Sequence, residues 1–271
     1  ASVSGVAVVR YDPSWVHGRD NSPNLQTLRK KVVAIAGLGA LGSGVTELLA
    51  KVGIGKILLI DPQMLESCNV SRHSMGISDV GKTKVNAIAD NLKKRFPHGS
   101  FEPIPTTLTE VLKSNPQSLE SADLIVALTG QWSAESFLDA LAHAEEGAKL
   151  PGIVYGWLEP YAAAGHALAI LGHQHSLSCV LDDEGYDRLP VTEWSNPTDI
   201  PIPACGGTFQ PYGAIELSHI QALVADLIVD VLLGHTSEST RRTWVSSERN
   251  LIRSNGKKLL LSRYDAASVS G

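Results

Sequence analysis

The sequence predicts an α/β protein with a mostly parallel central sheet flanked by helices. Three observations lead to this fold class. The uninterrupted apolar run Val32–Ala36 is typical of a strand that is covered on both faces. A second such run, Lys56–Ile60, follows a stretch whose apolar residues recur at helical spacing up to Gly53. The alternation of apolar runs with amphipathic helical segments then continues along the chain, as in parallel sheets.

The remaining elements follow from local signals. Residues 11–24 are rich in Pro, Gly and Asp, which predicts an irregular arm followed by a short helix through Lys30. Ser78 and Asp79 predict the start of a helix that contains Lys84. Further elements are predicted as strands at 101–105 (an edge strand), 123–128, 153–158, 163–171, 243–246 and 258–263, and as helices ending at Gly147 and Gly234.

A glycine-rich turn joins the first strand to the first long helix. Residues 31–44 read KVVAIAGLGALGSG, in which Gly37, Gly39 and Gly42 have the spacing G-x-G-x-x-G. The first glycine permits a tight turn, the second permits close approach of a phosphate, and the third permits close packing of helix and strand. Asp61 ends the second strand, near the offset at which an acidic residue contacts a ribose hydroxyl. Together these features predict a nucleotide site.

Composition limits the classes of function. The 271 residues are 43% apolar, which is enough for one large domain spanning 1–271. The net charge of −5 argues against general binding of nucleic acids or acidic membranes, and no apolar run is long enough to span a bilayer. Three widely spaced cysteines without a C-x-x-C pair argue against disulfides and structural zinc. We therefore expect a cytoplasmic protein that binds neither nucleic acid nor membrane.

One segment departs from the regular alternation. Residues 182–204 contain six acidic residues, one Arg and four Pro. A long polar segment inside a compact domain is usually functional or disordered, and we treat it as an acidic crossover loop. Cys205 follows it directly, in a glycine-rich stretch.

Several charged residues outside the glycine turn are candidates for function. Lys84 is predicted in the first turn of its helix, where a cation opposes the helix dipole and gains from a nearby anion. Arg19 is either a solvated surface charge or a functional residue. His166, His173 and His175 are close in sequence, but no carboxylate or cysteine pair joins them, which disfavours a metal site.

These motifs, in their order, resemble those of the ThiF/MoeB adenylyltransferases and ubiquitin-activating enzymes. The matching stretches are GLGALG, LIDPQMLESCNVSRH, DVGKTK, the strand end LTG, and PACGG before a long helix. WVHGRD at 15–20 and CGGTFQPYG at 205–213 are most similar to activating-enzyme domains of bacterial ubiquitin-like conjugation operons, some of them antiphage. The resemblance implies a Rossmann-like adenylation domain with a crossover loop that carries a cysteine.

The resemblance also implies cofactors and residue roles. ATP and Mg²⁺ would bind over the glycine turn, and the C-terminal carboxylate of a ubiquitin-like protein would attack the α-phosphate. Asp61 would contact the ribose, and Asn69, Arg72 and Lys84 would contact the phosphates. The charge of Arg72 and Lys84 agrees independently, because a triphosphate is more anionic than a dinucleotide.

Two implied roles extend beyond one chain's adenylation site. Arg19 would reach into the site of a partner subunit, which implies a homodimer. Cys205 lies where the family's thioester-forming or sulfur-carrying cysteines lie, and a thiolate there could displace AMP from an acyl adenylate. A small packing residue is the alternative for Cys205. Such domains are also often fused to, or encoded beside, a conjugating-enzyme domain.

The sequence departs from the family pattern at the end of the strand 123–128. Many relatives have an Asp at the position of Gly130, where it helps to hold magnesium. Glu135, Asp123 or the phosphates of the nucleotide would have to complete the metal site, or adenylation is weakened. The zinc-binding cysteine pairs of several relatives are also absent.

Three alternatives to activation of a ubiquitin-like protein remain open at this level. A sulfur-carrier activator of the ThiF/MoeB type would share every residue up to Cys205. A catalytically inactive scaffold is favoured only by Gly130. An NAD-dependent oxidoreductase is favoured by the glycine turn and Asp61, but it leaves Arg72 and Lys84 unexplained.

Overall fold

The computed structural model describes residues 5–6, 8–144, 149–201, 208–247, 251 and 255–258. The strands are β1 Val32–Ala36, β2 Lys56–Ile60, β3 Ser100–Ile104, β4 Leu124–Ala127, β5 Ile153–Leu158, β6 Ala164–Ile170, β7 Thr192–Trp194, β8 Ile200–Pro201, β9 Thr208–Phe209, β10 Thr240–Val245 and β11 Gly256–Lys258. The helices are α1 Pro13–Val16, α2 Leu25–Leu28, α3 Ala40–Lys51, α4 Lys84–Arg95, α5 Leu108–Ser114, α6 Gln117–Glu120, α7 Trp132–His143 and α8 Ala214–Leu233.

Seven strands form the central sheet, in the order β10-β6-β5-β4-β1-β2-β3. The five strands from β5 to β3 in this order run parallel, whereas β6 and β10 are antiparallel to their neighbours. Two small pairs, β7 with β11 and β8 with β9, lie outside this sheet. The predicted fold class is confirmed: a mostly parallel sheet, flanked by helices and extended by further strands.

The hydrophobic core lies on both faces of the sheet. Alternate residues of β1 contribute to opposite faces, with Val33 and Ile35 on one and Ala34 and Ala36 on the other. Helices α3, α4 and α8 cover the first face, and α5 and α7 cover the second. Because both faces are buried, β1 is apolar throughout instead of alternating with polar residues.

The helix predicted to start at Ser78 and Asp79 begins later. These two residues lie in a 3₁₀ turn, Ile77–Asp79, and α4 begins at Lys84. The Asp79 carboxylate pairs with the ammonium of Lys82 at 2.8 Å, so it does not cap a helix. Gly81 then has φ +89°, which interrupts any helical path. Lys84 is the first residue of α4 and so lies in its first turn, as predicted.

Other boundaries moved by a few residues, and three short helices were missed. The predicted helix through Lys30 is only α2, and the helix predicted to end at Gly147 is described to His143. Helices α1, α5 and α6 were not predicted, because each is too short to show helical periodicity. The edge strand and the helix end at Gly234, with φ +75°, were predicted correctly. Among the described residues, no helix is long and apolar enough to cross a membrane.

Candidate active site

The glycine turn between β1 and α3 is the centre of the site. Gly37 has φ +88°, and a Cβ atom there would overlap the carbonyl of Leu128. A Cβ atom on Gly42 would overlap the carbonyl of Gly37, so the helix packs directly on the turn. By contrast, a Cβ atom on Gly39 would meet none of the described atoms within 4 Å. Gly37 and Gly42 are thus required by packing, whereas Gly39 leaves bare backbone facing open space.

Asp61 fixes the conformation of this turn. Its buried carboxylate accepts the backbone N–H of Leu38 at 2.7 Å and that of Gln63 at 2.8 Å. Each carboxylate oxygen can accept a second hydrogen bond, so Asp61 can still contact a ligand. Its position at the carboxyl end of β2 brings it beside the turn at the end of β1.

His73 also holds the turn, a role that its sequence position does not predict. The buried ring donates from Nε2 to the carbonyl of Leu38 at 2.9 Å and accepts the N–H of Met75 at Nδ1. These partners define a neutral tautomer. Burial lowers the pKa of His73, which favours the same neutral form. Its position directly after Arg72 was the only signal in the sequence.

A small pocket of about 80 Å³ contains two cations. Lys84 is buried, and its ammonium donates to the Gln63 side-chain carbonyl. The Arg72 guanidinium lies 4.7 Å from the centroid of the Tyr212 ring. No carboxylate in the described part of the chain lies within ion-pair distance of either cation. Two neighbouring cations without a counter-ion favour binding of an anion. We call this space the cation pocket.

Asn69 lines the cation pocket, but its side chain is engaged locally. Its carbonyl oxygen accepts the backbone N–H of Glu66 at 3.0 Å, completing a reciprocal capping arrangement in the turn Ser67–Asn69. This turn leads to Arg72, whose N–H donates to the carbonyl of Asn69. Asn69 therefore positions Arg72 as well as lining the pocket.

Two further pockets meet the cation pocket at Gly39, which lines all three. The first, of about 100 Å³, lies beside Asp61, with apolar walls from Ile60, Leu108 and Ala134. We call it the narrow pocket. The second, of about 510 Å³, has the indole side chains of Trp132 and Trp157 in its lining and is called the wide pocket below.

Glu135 lines the wide pocket from the first turn of α7. One carboxylate oxygen, Oε1, accepts hydrogen bonds from the N–H of Thr129 (2.9 Å), the hydroxyl of Thr129 (2.7 Å) and the N–H of Gly130 (3.2 Å). Burial raises the pKa of Glu135 to about 7, against the lowering effect of these hydrogen bonds.

Asp123 cannot serve the same pocket. It precedes β4, at the end of the sheet opposite to Thr129 and Gly130. Its carboxylate pairs with Lys31 at 2.9 Å and accepts the N–H of Val32 at 2.8 Å. Of the three alternatives for completing the metal site, Asp123 is therefore excluded.

The acidic crossover is attached to the sheet by a buried charged cluster. His166 donates from Nε2 to Glu159 at 3.0 Å, and Arg241 donates to both oxygens of Asp187. Glu159 also accepts the N–H of Val191 at 2.7 Å. Although burial alone would raise it, these hydrogen bonds lower the pKa of Glu159. We call Glu159, His166, Asp187 and Arg241 the crossover cluster.

The expectation that no carboxylate joins the histidines is wrong for His166. Glu159 and Asp187 lie 3.0 and 3.6 Å from its Nε2. The Arg241 guanidinium supplies a positive charge beside these carboxylates. It also contacts His166 Nδ1 at 2.9 Å. His173 and His175 are exposed and lie apart from this cluster. The cluster is therefore a structural network, compensated by its own arginine.

The predicted site residues divide into three groups. Seven lie together around the three pockets: Gly37, Gly39, Gly42, Asp61, Asn69, Arg72 and Lys84. Arg19 is exposed in the turn Gly18–Asp20, and the adjacent His17 bonds to Lys51 at the far end of α3, about 18 Å along that helix from the glycine turn. Arg19 therefore lies away from this chain's own pockets. Cys205 lies outside the described residues, although Gln210 and Tyr212 line the wide pocket.

The sequence relatives are named as ubiquitin transferase-like proteins or as ubiquitin-like modifier-activating enzymes. The chain is 27% identical to the ATP-dependent ubiquitin transferase-like protein Cap2 of Pseudomonas aeruginosa over 259 residues, which is 92% of this chain and 45% of that protein. The Cap2 of Vibrio cholerae is 26% identical, over 99% of this chain and 46% of that protein. Ubiquitin-like modifier-activating enzyme 5 of Bombyx mori is 33% identical over 32% of this chain and 22% of its own length. The chain thus spans about half the length of the Cap2 relatives.

Solved structures share the fold at low sequence identity. PaaA superposes with a TM-score of 0.67 at 18% identity, over 92% of this chain and 75% of its own. Escherichia coli MccB, crystallised with ATP, superposes with a TM-score of 0.61 at 21% identity, over 83% of this chain and 63% of its own. The profile of the ThiF family matches residues 17–258. The chain therefore belongs to the ThiF family.

Proposed function

We propose that this chain uses ATP to adenylate the C-terminal carboxylate of a ubiquitin-like protein or peptide. The observation that carries the proposal is the uncompensated pair Lys84 and Arg72 beside the open backbone of Gly39. Relatives named ATP-dependent ubiquitin transferase-like protein and the MccB structures with ATP and with MccA support this choice. An NAD-dependent oxidoreductase would not explain the two uncompensated cations, Arg72 and Lys84.

Each pocket would hold one part of the reactants. The adenosine would occupy the narrow pocket, where Asp61 can accept a ribose hydroxyl. The phosphates would lie in the cation pocket against Lys84 and Arg72. The wide pocket would take the terminal residues of the carrier, because its volume suits a peptide segment. Gly39, common to all three, would lie at the reacting atoms.

The reaction would be an in-line displacement at the α-phosphorus. A carboxylate oxygen of the substrate forms a bond to phosphorus, while the bond from phosphorus to the bridging oxygen breaks and pyrophosphate leaves with the electron pair. Lys84 and Arg72 would stabilise the charge that develops on the pyrophosphate. Mg²⁺ would neutralise phosphate charge when bound, and oxygen ligands of the type found at Glu135 suit it.

After adenylation, the carrier would be transferred to a cysteine and then to a partner. Cys205 would attack the acyl carbonyl as a thiolate and release AMP, so that the carrier becomes a thioester. Arg19 would act in the site of a second copy, in a homodimer, and a conjugating-enzyme partner or fused domain would receive the carrier. If Cys205 forms the thioester, we expect Cys205→Ala still to adenylate the carrier but to form no thiol-sensitive adduct with it.

The test starts with the nucleotide. We expect calorimetry to detect binding of a non-hydrolysable ATP analogue with Mg²⁺ and no binding of NAD. Exchange of labelled pyrophosphate into ATP is then measured with peptides that end in a free Gly-Gly carboxylate. The matched control is the same peptide with an amidated C terminus, which has no nucleophile. Exchange that does not depend on the free carboxylate would reject adenylation of a C terminus, and binding of NAD alone would reject the proposal entirely.

A further inference from the structure

Glu135 has a carboxylate that is only half satisfied. The residue is buried, with 8% of its surface exposed. Its Oε1 accepts all three hydrogen bonds from Thr129 and Gly130, whereas Oε2 accepts none from any residue that the structure describes. Oε2 is open to solvent instead of being sealed in the interior. Because Glu135 lines the wide pocket, a ligand bound there can meet this free oxygen.

The space around this carboxylate is open. Gly130 and Gly39 line the same pocket, and a Cβ atom on either would meet no described atom within 4 Å. Gly130 has φ +61°, so its backbone takes a path that side chains disfavour. The pocket wall beside Glu135 is therefore bare backbone, with room for a ligand.

The charge of the bound phosphates decides which ligand fits. Lys84 and Arg72 draw phosphates into the cation pocket, which meets the wide pocket at Gly39 and Ala40. An ionised Glu135 on the other side of this junction would repel them. A hard divalent cation between carboxylate and phosphates turns that repulsion into attraction, and Mg²⁺ is commonly held by one or two carboxylates plus phosphate oxygens.

Glu184 also lines the wide pocket but is exposed, whereas each of the other nearby carboxylates has a hydrogen-bond donor on both oxygens. Asp61 accepts two backbone N–H groups within the turn. Both oxygens of Glu159 accept hydrogen bonds, from Val191 and His166 at Oε1 and from Thr192 at Oε2. Asp123 is at the opposite end of β4, paired with Lys31. Glu135 is the buried carboxylate of the described pockets that keeps one oxygen free.

We propose that Glu135 is the protein's ligand for the divalent cation that accompanies ATP, supplied from the first turn of α7 instead of from the end of β4. This assignment rests on the proposed use of ATP. It would reconcile Gly130 with adenylation, because a carboxylate on α7 lines the wide pocket in place of one at the end of β4.

The test uses Mn²⁺ as the probe, read by electron paramagnetic resonance in the complex with a non-hydrolysable ATP analogue. We expect Glu135→Gln to weaken Mn²⁺ binding at least tenfold, while metal-free affinity for the analogue stays equal or rises because a repulsive charge is removed. Gln keeps an oxygen that can accept the three hydrogen bonds at Oε1, so the fold should persist. Asp123→Asn is the matched control, with an expected change of less than twofold. Unchanged Mn²⁺ affinity in Glu135→Gln would overturn the assignment.

A second measurement does not depend on any variant. In wild-type protein labelled with ¹³C at glutamate carboxylates, bound Mn²⁺ should show a ¹³C hyperfine coupling typical of a directly coordinated carboxylate. Nucleotide binding without this coupling would overturn the role of Glu135 and leave adenylation intact. Failure of the wild-type chain to bind the analogue at all would instead reject the proposed function, and this assignment with it.

Discussion

Two groups of charged side chains border the pockets, and they differ in how their charges are compensated. In the crossover cluster, Arg241 donates to both oxygens of Asp187 and contacts His166. In the cation pocket, Lys84 and Arg72 have no carboxylate partner among the described residues, and their nearest polar and aromatic neighbours are neutral. One group is complete without a ligand, and the other is not.

The difference shows which buried charges indicate function. A compensated ion pair holds segments together, and removing one partner leaves the other charge buried without a counter-charge. A buried cation without a partner lowers stability, so its retention indicates that a ligand supplies the missing charge. The crossover cluster attracts attention first, because it has more titratable groups. The incomplete pair is the better indicator of a binding site.

The sharpest way to test this comparison is to remove the Lys84 charge. We expect Lys84→Ala to lower the rate of ATP–pyrophosphate exchange at least 100-fold, because the developing charge on pyrophosphate loses a buried cation. The free energy of unfolding should stay equal or rise, since no ion pair is broken and a buried charge without a counter-ion is removed. Lys82→Ala is the matched control: this lysine is half-exposed and paired with Asp79, so exchange should stay within twofold. Equal effects of the two substitutions would contradict the distinction.

The converse test removes the compensated cation. Arg241→Ala leaves Asp187 buried without its partner, and we expect a loss of about 3 kcal/mol in the free energy of unfolding, measured with urea. Arg242→Ala, one residue along β10, is the control. One partner of Arg242, Asp226, is 73% exposed, so the expected loss is about 1 kcal/mol. A smaller loss for Arg241 than for Arg242 would show that the crossover cluster does not hold the segment in place.

The sequence was most informative where a function depends on residues close together in the chain. The strand, glycine turn and helix of residues 31–51 were predicted correctly, because the apolar run and the three glycines encode them locally. Asp61 could be placed beside the turn because parallel strands end at the same edge of a sheet. Lys84 was identified as a candidate, although the start of its helix was placed too early.

The sequence was least informative where distant segments meet. The crossover cluster combines residues from β5, β6, the crossover and β10, and no local pattern links them. The role of His73 also depends on a backbone carbonyl 35 residues away in the chain. Likewise, only the structure shows that Asp123 is paired with Lys31 whereas one oxygen of Glu135 stays free, because these hydrogen-bond partners have no local sequence pattern.

A third prediction tests the carboxylate between the two groups. The pKa of Glu135 is raised from 4.5 to about 7, so the folded protein keeps a proton that the unfolded chain releases between these values. Stability of the wild type should therefore fall as pH rises from about 4.5 to 7, by up to about 3 kcal/mol, and then level off. Glu135→Gln should lack this fall. Urea unfolding without metal or nucleotide measures both, and parallel pH profiles would contradict the burial of an ionisable Glu135.

The smallest expected effect concerns the arm that carries Arg19. His98 donates to His17 at 2.7 Å, and His17 donates to the carbonyl of Lys51, so the two rings attach the arm to α3. Burial, helped by the neighbouring His17 and Arg29, lowers the pKa of His98. The unfolded chain therefore binds more protons below pH 6.5, and this contact weakens as pH falls through that range. We expect cleavage of the arm by trypsin, normalised to an unstructured peptide, to be about two- to fivefold faster at pH 5.5 than at pH 8. In His98→Gln the ratio should approach one, and an unchanged pH dependence would assign it to a different group.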